Sequence, residues 1–330
     1  MTKPPDSAPP GGDAPSGDAL SGDAPTSLDR FERERPRLVG LAYRMLGTVA
    51  DAEDVVQDAW LRWQAAPPGT VDRPEAWLTT VTTRIALDHL RTVRRRRESY
   101  VGPWLPEPLV AEGSVAEGGP AERGPAEAAE LAESLRFGFL TVLDQLRPVE
   151  RAVFLLADVF AVPFAEIAVT VGKSEAACRQ IASRARRRVR PVDGPGQQRD
   201  HRAAAQRSDR EVVDALMTAV VTGDVTAALR HLAPDVVCVS DGGAAVRAAR
   251  RPVVGADRVA RFLINLTRRH AGRITARAAS VNGEAGTVVS LDGAVDLVTA
   301  FEVADGRVVA IRMVRNPDKL VHVDAPPAVR

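Results

Sequence analysis

Apolar residues between positions 28 and 97 recur at three- and four-residue intervals. Leu38, Leu41, Ala42 and Met45 fall on one face of a helix that Gly47 ends, and Asp51 is placed to cap a second helix. A third opens at Pro74, in PEAWLTTVTTRIALDHLRTVRRRR, with Trp77, Leu78, Val81 and Ile85 directed inward. Helical spacing resumes over 131–190, and breaks at Pro148 and around 161–163 divide it into about four helices. After residue 209 the period changes. Helices are predicted over 212–221, 225–232 and GADRVARFLINLTRRH, among the alternating runs DVVCVSD, GTVVSL, AVDLVTAFEV and RVVAIRMV, with a hairpin at Asp305 and Gly306. The pattern predicts a multidomain chain: two all-α units, each with its own core, then an α+β unit.

Polar breaks separate these units. Residues 1–27 repeat GDA in a Pro/Gly/Ser/Asp mixture too poor in apolar side chains to order, and read as a disordered tail. Residues 101–130 are rich in Pro, Gly and Glu and read as a linker, with only 104–109 apolar enough to dock. A second linker covers 196–209. The helical units are therefore 28–100 and 131–195, and the α+β unit is 210–325.

Charge sharpens the picture. The 44 basic and 43 acidic residues nearly cancel, but arginines crowd 84–97 and 179–190 while carboxylates crowd 51–58 and 107–130. Only Lys3, Lys173 and Lys319 are lysines, so almost every cation is a planar guanidinium able to fork onto phosphate or a guanine edge. Cys178 and Cys238 and five scattered histidines give no disulfide framework and no metal-ligand spacing, so neither metal nor cofactor is expected. There is no signal-peptide pattern and no run near the roughly 18 apolar residues of a membrane span, so a soluble, cytoplasmic protein is expected.

The stretch GKSEAACRQIASRARRRVR carries six of those arginines. On a helical wheel Cys178, Ile181, Ala182, Ala185 and Val189 form one stripe, and Arg179, Gln180, Ser183, Arg186, Arg187 and Arg190 fill the opposite arc. Upstream, Phe164, Ile167, Ala168 and Val171 share a face, Gly172 breaks the chain and Ser174 caps the basic helix. This is a helix-turn-helix with 174–190 as recognition helix. Arg179, Gln180 and Ser183 are placed for base edges, and Arg186, Arg187 and Arg190 for phosphates. A solvated basic face is the alternative reading. On the Pro74 helix Thr80, Arg84, Asp88, Arg91 and Arg95 share a side that suggests a second DNA contact, whereas Asp51, Glu53, Asp54 and Asp58 would repel DNA and suit a protein partner.

Together these residues resemble the extracytoplasmic-function sigma factors of bacterial RNA polymerase. LAYRMLGTVADAEDVVQDAWLRW with the Pro74 helix resembles their region 2, and LRPVERAVFLLADVFAVPFAEIAVTVGKSEAACRQIASRARRRVR their region 4. YVGPWLPEPLV, the α+β extension and NPDKL resemble the SigJ-like group, whose extension has the cone-shaped SnoaL or NTF2-like fold. Asp241, Gly242 and Gly243 match that group's DGGGK, but Ala244 and Ala245 depart from it. The resemblance implies that Asp51, Asp54, Gln57 and Asp58 dock on the β′ clamp helices of core polymerase, which also presents its β subunit. Thr80, Arg84, Arg91, Arg94 and Arg95, with Arg96 and Arg97, would hold the −10 element, the loop over 67–75 would capture a flipped base, and Ser174 would join the −35 set. The linker 101–130 would thread the polymerase.

Regulation in cis is expected from the extension, through Asp241, Gly242, Gly243, Asn316, Pro317, Asp318, Lys319 and Leu320. With Ala245 in place of the motif lysine, Arg247 is the candidate substitute. Asp241, His231, His270, Asp292 and Asp296 could serve acid-base chemistry, but each also reads as a turn or helix-end residue, so no enzyme activity is expected. A small-molecule ligand of the cone remains open, as does a one-component, ligand-responsive DNA-binding regulator.

Overall fold

The first helix, α1 (Ser27–Leu46), begins behind Thr26, whose hydroxyl accepts from the Asp29 amide while Asp29 accepts from Thr26. This is the start of the computed structural model, which describes residues 26–67, 70–98, 100–111, 135–189 and 199–323. The predicted tail, apart from 26 and 27, lies outside them. Helix α2 (Val49–Ala65) has Thr48 and not Asp51 as its cap residue; Asp51 sits one turn in and accepts from the Thr48 hydroxyl at 2.5 Å. Helix α3 (Pro74–Glu98) completes the first unit.

The second unit has the four helices expected: α4 (Phe137–Asp144), α5 (Pro148–Phe154), which runs into a π-helical turn at Leu155–Val159, α6 (Phe164–Val171) and α7 (Glu175–Val189). Two separate cores were expected, but the structure has one. Leu38, Met45 and Leu90 of the first unit are continuous with Leu143, Leu155 and Ile181 of the second. Arg151 of α5 seals the junction: it is buried and donates to the carbonyls of Leu143 and Met45 at 2.8 and 2.7 Å.

Helix α8 (Arg199–Thr222) is continuous, so a helix occupies part of the predicted second linker; 190–198 lie outside the described residues. Then come α9 (Val225–His231), β2 (Leu232–Asp241), β3 (Val253–Val254), α10 (Ala256–Arg269), β4 (Ile274–Val281), β5 (Glu284–Leu291), β6 (Ala294–Ala304) and β7 (Arg307–Val314). A strand from the predicted first linker, β1 (Val110–Ala111), adds itself to β4. The sheet order is β1-β4-β5-β6-β7-β2-β3, antiparallel except for β2 with β7. Register shifts in β2, β5–β6 and β6–β7 bend the strands. The curved sheet and its helices form the expected α+β unit.

The two faces of the sheet are covered differently. One carries Phe301, Ile311 and Met313 and packs on Val213 and Leu216 of α8 and Val259 and Leu263 of α10. The other, with Val281, Val288, Val298 and Val314, is covered by Leu105 from the segment after α3, Phe137 of α4, and Leu320. The second face is thus the junction between the cone and both helical units.

Candidate nucleic-acid and polymerase interfaces

The turn between α6 and α7 is made by Gly172 in the left-handed region, at φ 67°, where a side chain would be strained. Ser174 then accepts from the Ala177 amide at 3.2 Å and starts α7. Cys178, Ile181, Ala182, Ala185 and Val189 are buried, as the periodicity predicts, while Arg179, Gln180, Ser183, Arg186 and Arg187 face solvent. Two of these are already engaged. Arg179 pairs with Glu175 at 2.5 Å above the Phe164 ring, and the fork of Arg186 is held by both carboxylate oxygens of Asp158. Arg190 lies outside the described residues.

On α3 the predicted −10 side faces the helix-turn-helix. Thr80 and Thr170 of α6 have their hydroxyls 3.0 Å apart, and Arg84 donates to the carbonyls of Thr170 and Val169 at 3.1 and 2.7 Å. Arg73, in the loop before α3, pairs with Glu166 at 2.7 Å. Arg91 is exposed and bonds Asp88 on its own helix. The side chains of Arg94, Arg95 and Arg96 are outside those described. Arg97, expected on phosphate, instead stacks 3.3 Å from the Trp104 ring and donates to Asp144 and the Leu46 carbonyl. Burial lowers its pKa to about 10 against the pull of Asp144.

Asp54, Gln57 and Asp58 line the exposed side of α2, opposite buried Val55, Val56 and Ala59. Asp51 is half-buried beside Thr48. The first amide of the helix, Val49, donates to Glu107 at 2.8 Å, and the Tyr43 hydroxyl donates to the Glu107 carbonyl at 2.7 Å. Burial raises the Glu107 carboxyl above its ordinary range. Residues 100–111 are therefore a strap laid between α2 and the sheet, and the expected linker begins no earlier than residue 112.

The strap is clasped by the residues expected to regulate. Asp241 is wholly buried and was not legible as such: a turn role at the end of β2 was the plain alternative. Its carboxylate accepts from Tyr100 Oη (2.5 Å), Leu105 N (2.8 Å), Gly243 N (3.1 Å) and Lys319 Nζ (2.7 Å). Lys319 also donates to the Leu105 carbonyl and lies 4.2 Å from the Trp104 ring centre. Burial brings its pKa down to about 8 despite Asp241. The cation that pairs with Asp241 is therefore Lys319 of NPDKL, and the Arg247 carbonyl accepts from Arg315. Asn316 donates to Tyr100 Oη at 2.8 Å and accepts from Asp318 N, exposed Pro317 and Asp318 form the turn, and Leu320 is buried on the sheet. Gly243, at φ 60°, would strain any other residue, and a Cβ there would crowd Asn316 and Tyr100 Oη at 3.0–3.2 Å. Gly242 is tighter, with the Val246 carbonyl 2.5 Å from a Cβ there.

Two further contacts on this face had no counterpart in the sequence pattern. Asn282, in the β4–β5 turn, accepts from Leu109 N at 2.9 Å and donates to Tyr43 Oη and the Leu135 carbonyl, both at 3.0 Å. It joins the first helical unit, the strap and the start of the second. Glu284 is buried near the N-terminus of α4 with Arg312, which pairs with Glu302 at 2.6 Å. Burial raises the Glu284 pKa to about 7, opposed by Arg312, Arg136 and the Gly138 amide.

The acid-base candidates do not share a site. Asp292 pairs with Arg273 in an exposed turn, Asp296 with Arg315, and Asp241 belongs to the clasp, while His231 and His270 end α9 and α10. Among the described residues no helix is long and apolar enough to cross a membrane.

Known proteins repeat this arrangement. Residues 30–96 match the family model of sigma-70 region 2 and residues 136–189 that of sigma-70 region 4. The chain is 42% identical over 303 residues to the ECF RNA polymerase sigma factor SigJ of Mycobacterium tuberculosis strain H37Rv, covering 88% of this chain and 92% of that one. It is 32% identical over 286 residues to the probable ECF RNA polymerase sigma factor SigI of the same strain, covering 87% and 92%. The crystal structure of M. tuberculosis SigJ matches with a TM-score of 0.69 at 39% identity, over 89% of this chain and 98% of that one. The likeness runs through both helical units, the strap and the cone, and the chain belongs to the extracytoplasmic-function sigma factors of bacterial RNA polymerase.

Proposed function

We propose that this chain binds core RNA polymerase through the acidic side of α2, engages the −10 element with α3 and reads the −35 element with α7, under control in cis by the cone. On this reading sigma region 2 spans 28–100 and region 4 spans 131–195. The regulatory domain starts within α8 and takes in the strap 100–111. The observation that carries it is α7: its buried stripe leaves Arg179, Gln180, Ser183 and Arg187 exposed from its first turns onward, behind a glycine turn and a serine cap. Asp54, Gln57 and Asp58 supply an acidic side that DNA would repel and a basic protein surface would accept. We assign no catalytic step to the cone, because its candidate acids are each tied to a separate partner.

The test is promoter-directed transcription with purified bacterial core polymerase, comparing the full chain, Lys319→Met and no added factor, on fragments upstream of its own gene. Initiation that depends on the protein supports the reading, and the variant gives the sign of the cone's control. DNA binding without core binding would favour a one-component regulator instead.

A further inference from the structure

We propose that the β2–β3 loop of the cone is itself a promoter contact, in which Arg247, Arg250 and Arg251 hold phosphates of the duplex beside the stretch that α3 engages. This rests on the assignment of α3 to the −10 element and adds to it a surface from the third unit. Between Gly242 and Ala256 the sequence holds these three arginines and no Asp or Glu. All three are exposed, and none of their guanidinium groups has a hydrogen-bond or ion-pair partner among the described residues. Other arginines of the cone are already engaged: Arg210 by the carbonyls of Ala279 and Gly286, Arg261 by Asp257, Arg273 by Asp292, Arg312 by Glu302 and Arg315 by Asp296.

The loop is anchored along its length, so these charges have a fixed place. It leaves the clasp at Gly243, whose amide donates to Asp241, and Val246 N donates back to the Gly242 carbonyl at 3.3 Å. Farther on, Arg315 donates to the Arg247 carbonyl at 2.9 Å, and the loop ends in β3, paired with Val237 and Cys238 of β2. The backbone of Arg250 lies against the strap, where a Cβ at Gly102 would stand 3.5 Å from the Arg250 Cα. Helix α3 ends at Glu98, so at most about 14 Å of chain separates it from Gly102. Arg97 stacked on Trp104 and Tyr100 bonded to Asp241 hold that chain to α3 and to the cone alike. The three arginines therefore stand just beyond the C-terminal end of the helix whose exposed side carries Arg84 and Arg91.

Chemistry selects the partner. A protein interface is anchored by large aromatic and apolar side chains, and between its cations this loop offers only alanines and Val246. Phosphate asks for charge and a donor fork, which arginine supplies. Duplex DNA carries a phosphate for every ~1.7 Å of its axis, so a duplex that runs past the end of α3 presents about eight of them over the 14 Å to the loop.

The test is a salt titration of promoter binding by holoenzyme formed from core polymerase and the full chain. Each phosphate contact contributes about 0.9 to the slope of log affinity on log salt, so Arg250→Gln with Arg251→Gln is expected to flatten the slope by about 1.8, and Arg247→Gln added to them by about 2.7. From about 50 to 200 mM salt the affinity of the double variant then falls about twelvefold less than that of wild type. Arg250→Lys with Arg251→Lys keeps the charge and is expected to keep the slope. Arg268→Gln with Arg269→Gln removes the same charge from α10, which packs on the other face of the sheet, and is expected to leave the slope unchanged. Equal slopes for wild type and the loop variant would overturn the proposal, and so would equal flattening by the α10 pair, which would show only the overall charge of the cone. A loop variant that binds core polymerase more weakly without DNA would assign the loop to an acidic protein surface and would also overturn it. If wild-type holoenzyme forms no promoter complex, the sigma-factor reading itself fails and takes this proposal with it.

Discussion

Replacing Lys319 by Met tests the clasp directly. The substitution keeps an unbranched apolar stem and removes the cation 2.7 Å from a carboxylate with no exposure to water. Breaking a buried pair by deleting one partner typically costs about 3–5 kcal/mol, because the other charge is left uncompensated. Here three donors stay on Asp241, from Tyr100, Leu105 and Gly243, so the lower end applies, about 3 kcal/mol. The strap should then lift more often. The Leu105 amide, whose acceptor is Asp241, is the reporter, and at 1.4 kcal/mol per tenfold its hydrogen exchange should speed up by about a hundredfold. Adding Asp241→Asn removes the stranded charge, so the double variant should lie closer to wild type than the two single losses summed. Exchange at Leu105 within about threefold of wild type would show that the pair does not hold the strap, and would refute the reasoning.

Four other outcomes are expected. Glu284 has its folded pKa raised to about 7 from 4.5, so its contribution to stability is full below about 4.5 and is lost as pH rises through 7. Glu284→Gln should therefore reduce the fall in the full chain's urea midpoint between pH 5.5 and 7.5. Asn282→Gly keeps the left-handed backbone but strands Leu109 N and the Leu135 carbonyl, at a cost of about 2–4 kcal/mol in urea unfolding. Asp54→Lys with Asp58→Lys should abolish binding to core polymerase in a pull-down and leave Tm unchanged, since both side chains face solvent. Arg179→Ala with Gln180→Ala should cost about 1–3 kcal/mol at particular −35 bases in a binding titration, and a loss equal across sequences would make them phosphate contacts.

What the sequence disclosed depended on the range of the interaction. The stripe from Cys178 to Val189, the Gly172 turn and the Ser174 cap are contacts within a few residues, and each appears as periodicity or punctuation. Strand β4 was missed because ITARAASV has few β-branched residues, and its identity comes from pairing with β5. Asn282 followed by Gly283 carries the signature of a tight hairpin, which hides its second role: the side chain reaches Tyr43, 239 positions earlier. Arg84 and Arg97 were legible as cations, but the partners that use those charges, the Val169 carbonyl and Trp104, belong to other segments. NPDKL and the Asp241 motif were recognisable through resemblance alone, and only the fold supplies the reason: they meet on one strap.

That reason bears on why an apolar junction carries buried polar groups. An apolar patch of the same extent would be the stronger adhesive, since replacing a buried ion pair by well-packed hydrophobes is often neutral or stabilising. It would also resist opening, because every exposed methylene costs about 0.8 kcal/mol in water. Asp241, Lys319, Asn282 and Glu284 behave differently: water returns most of their desolvation penalty when the strap and α4 lift from the sheet. While the junction is closed, their bonds fix a single register of strap on sheet. The same strap caps α2 through Glu107 and holds the end of α3 through Trp104 against Arg97. Glu107, which caps α2, lies two residues from Leu105, whose amide and carbonyl are held by Asp241 and Lys319, so a displacement of α2 reaches that pair through Leu105 to Glu107. Leu105, Phe137 and Leu320 thus supply the adhesion of this face, and the buried polar groups fix the register in which it closes.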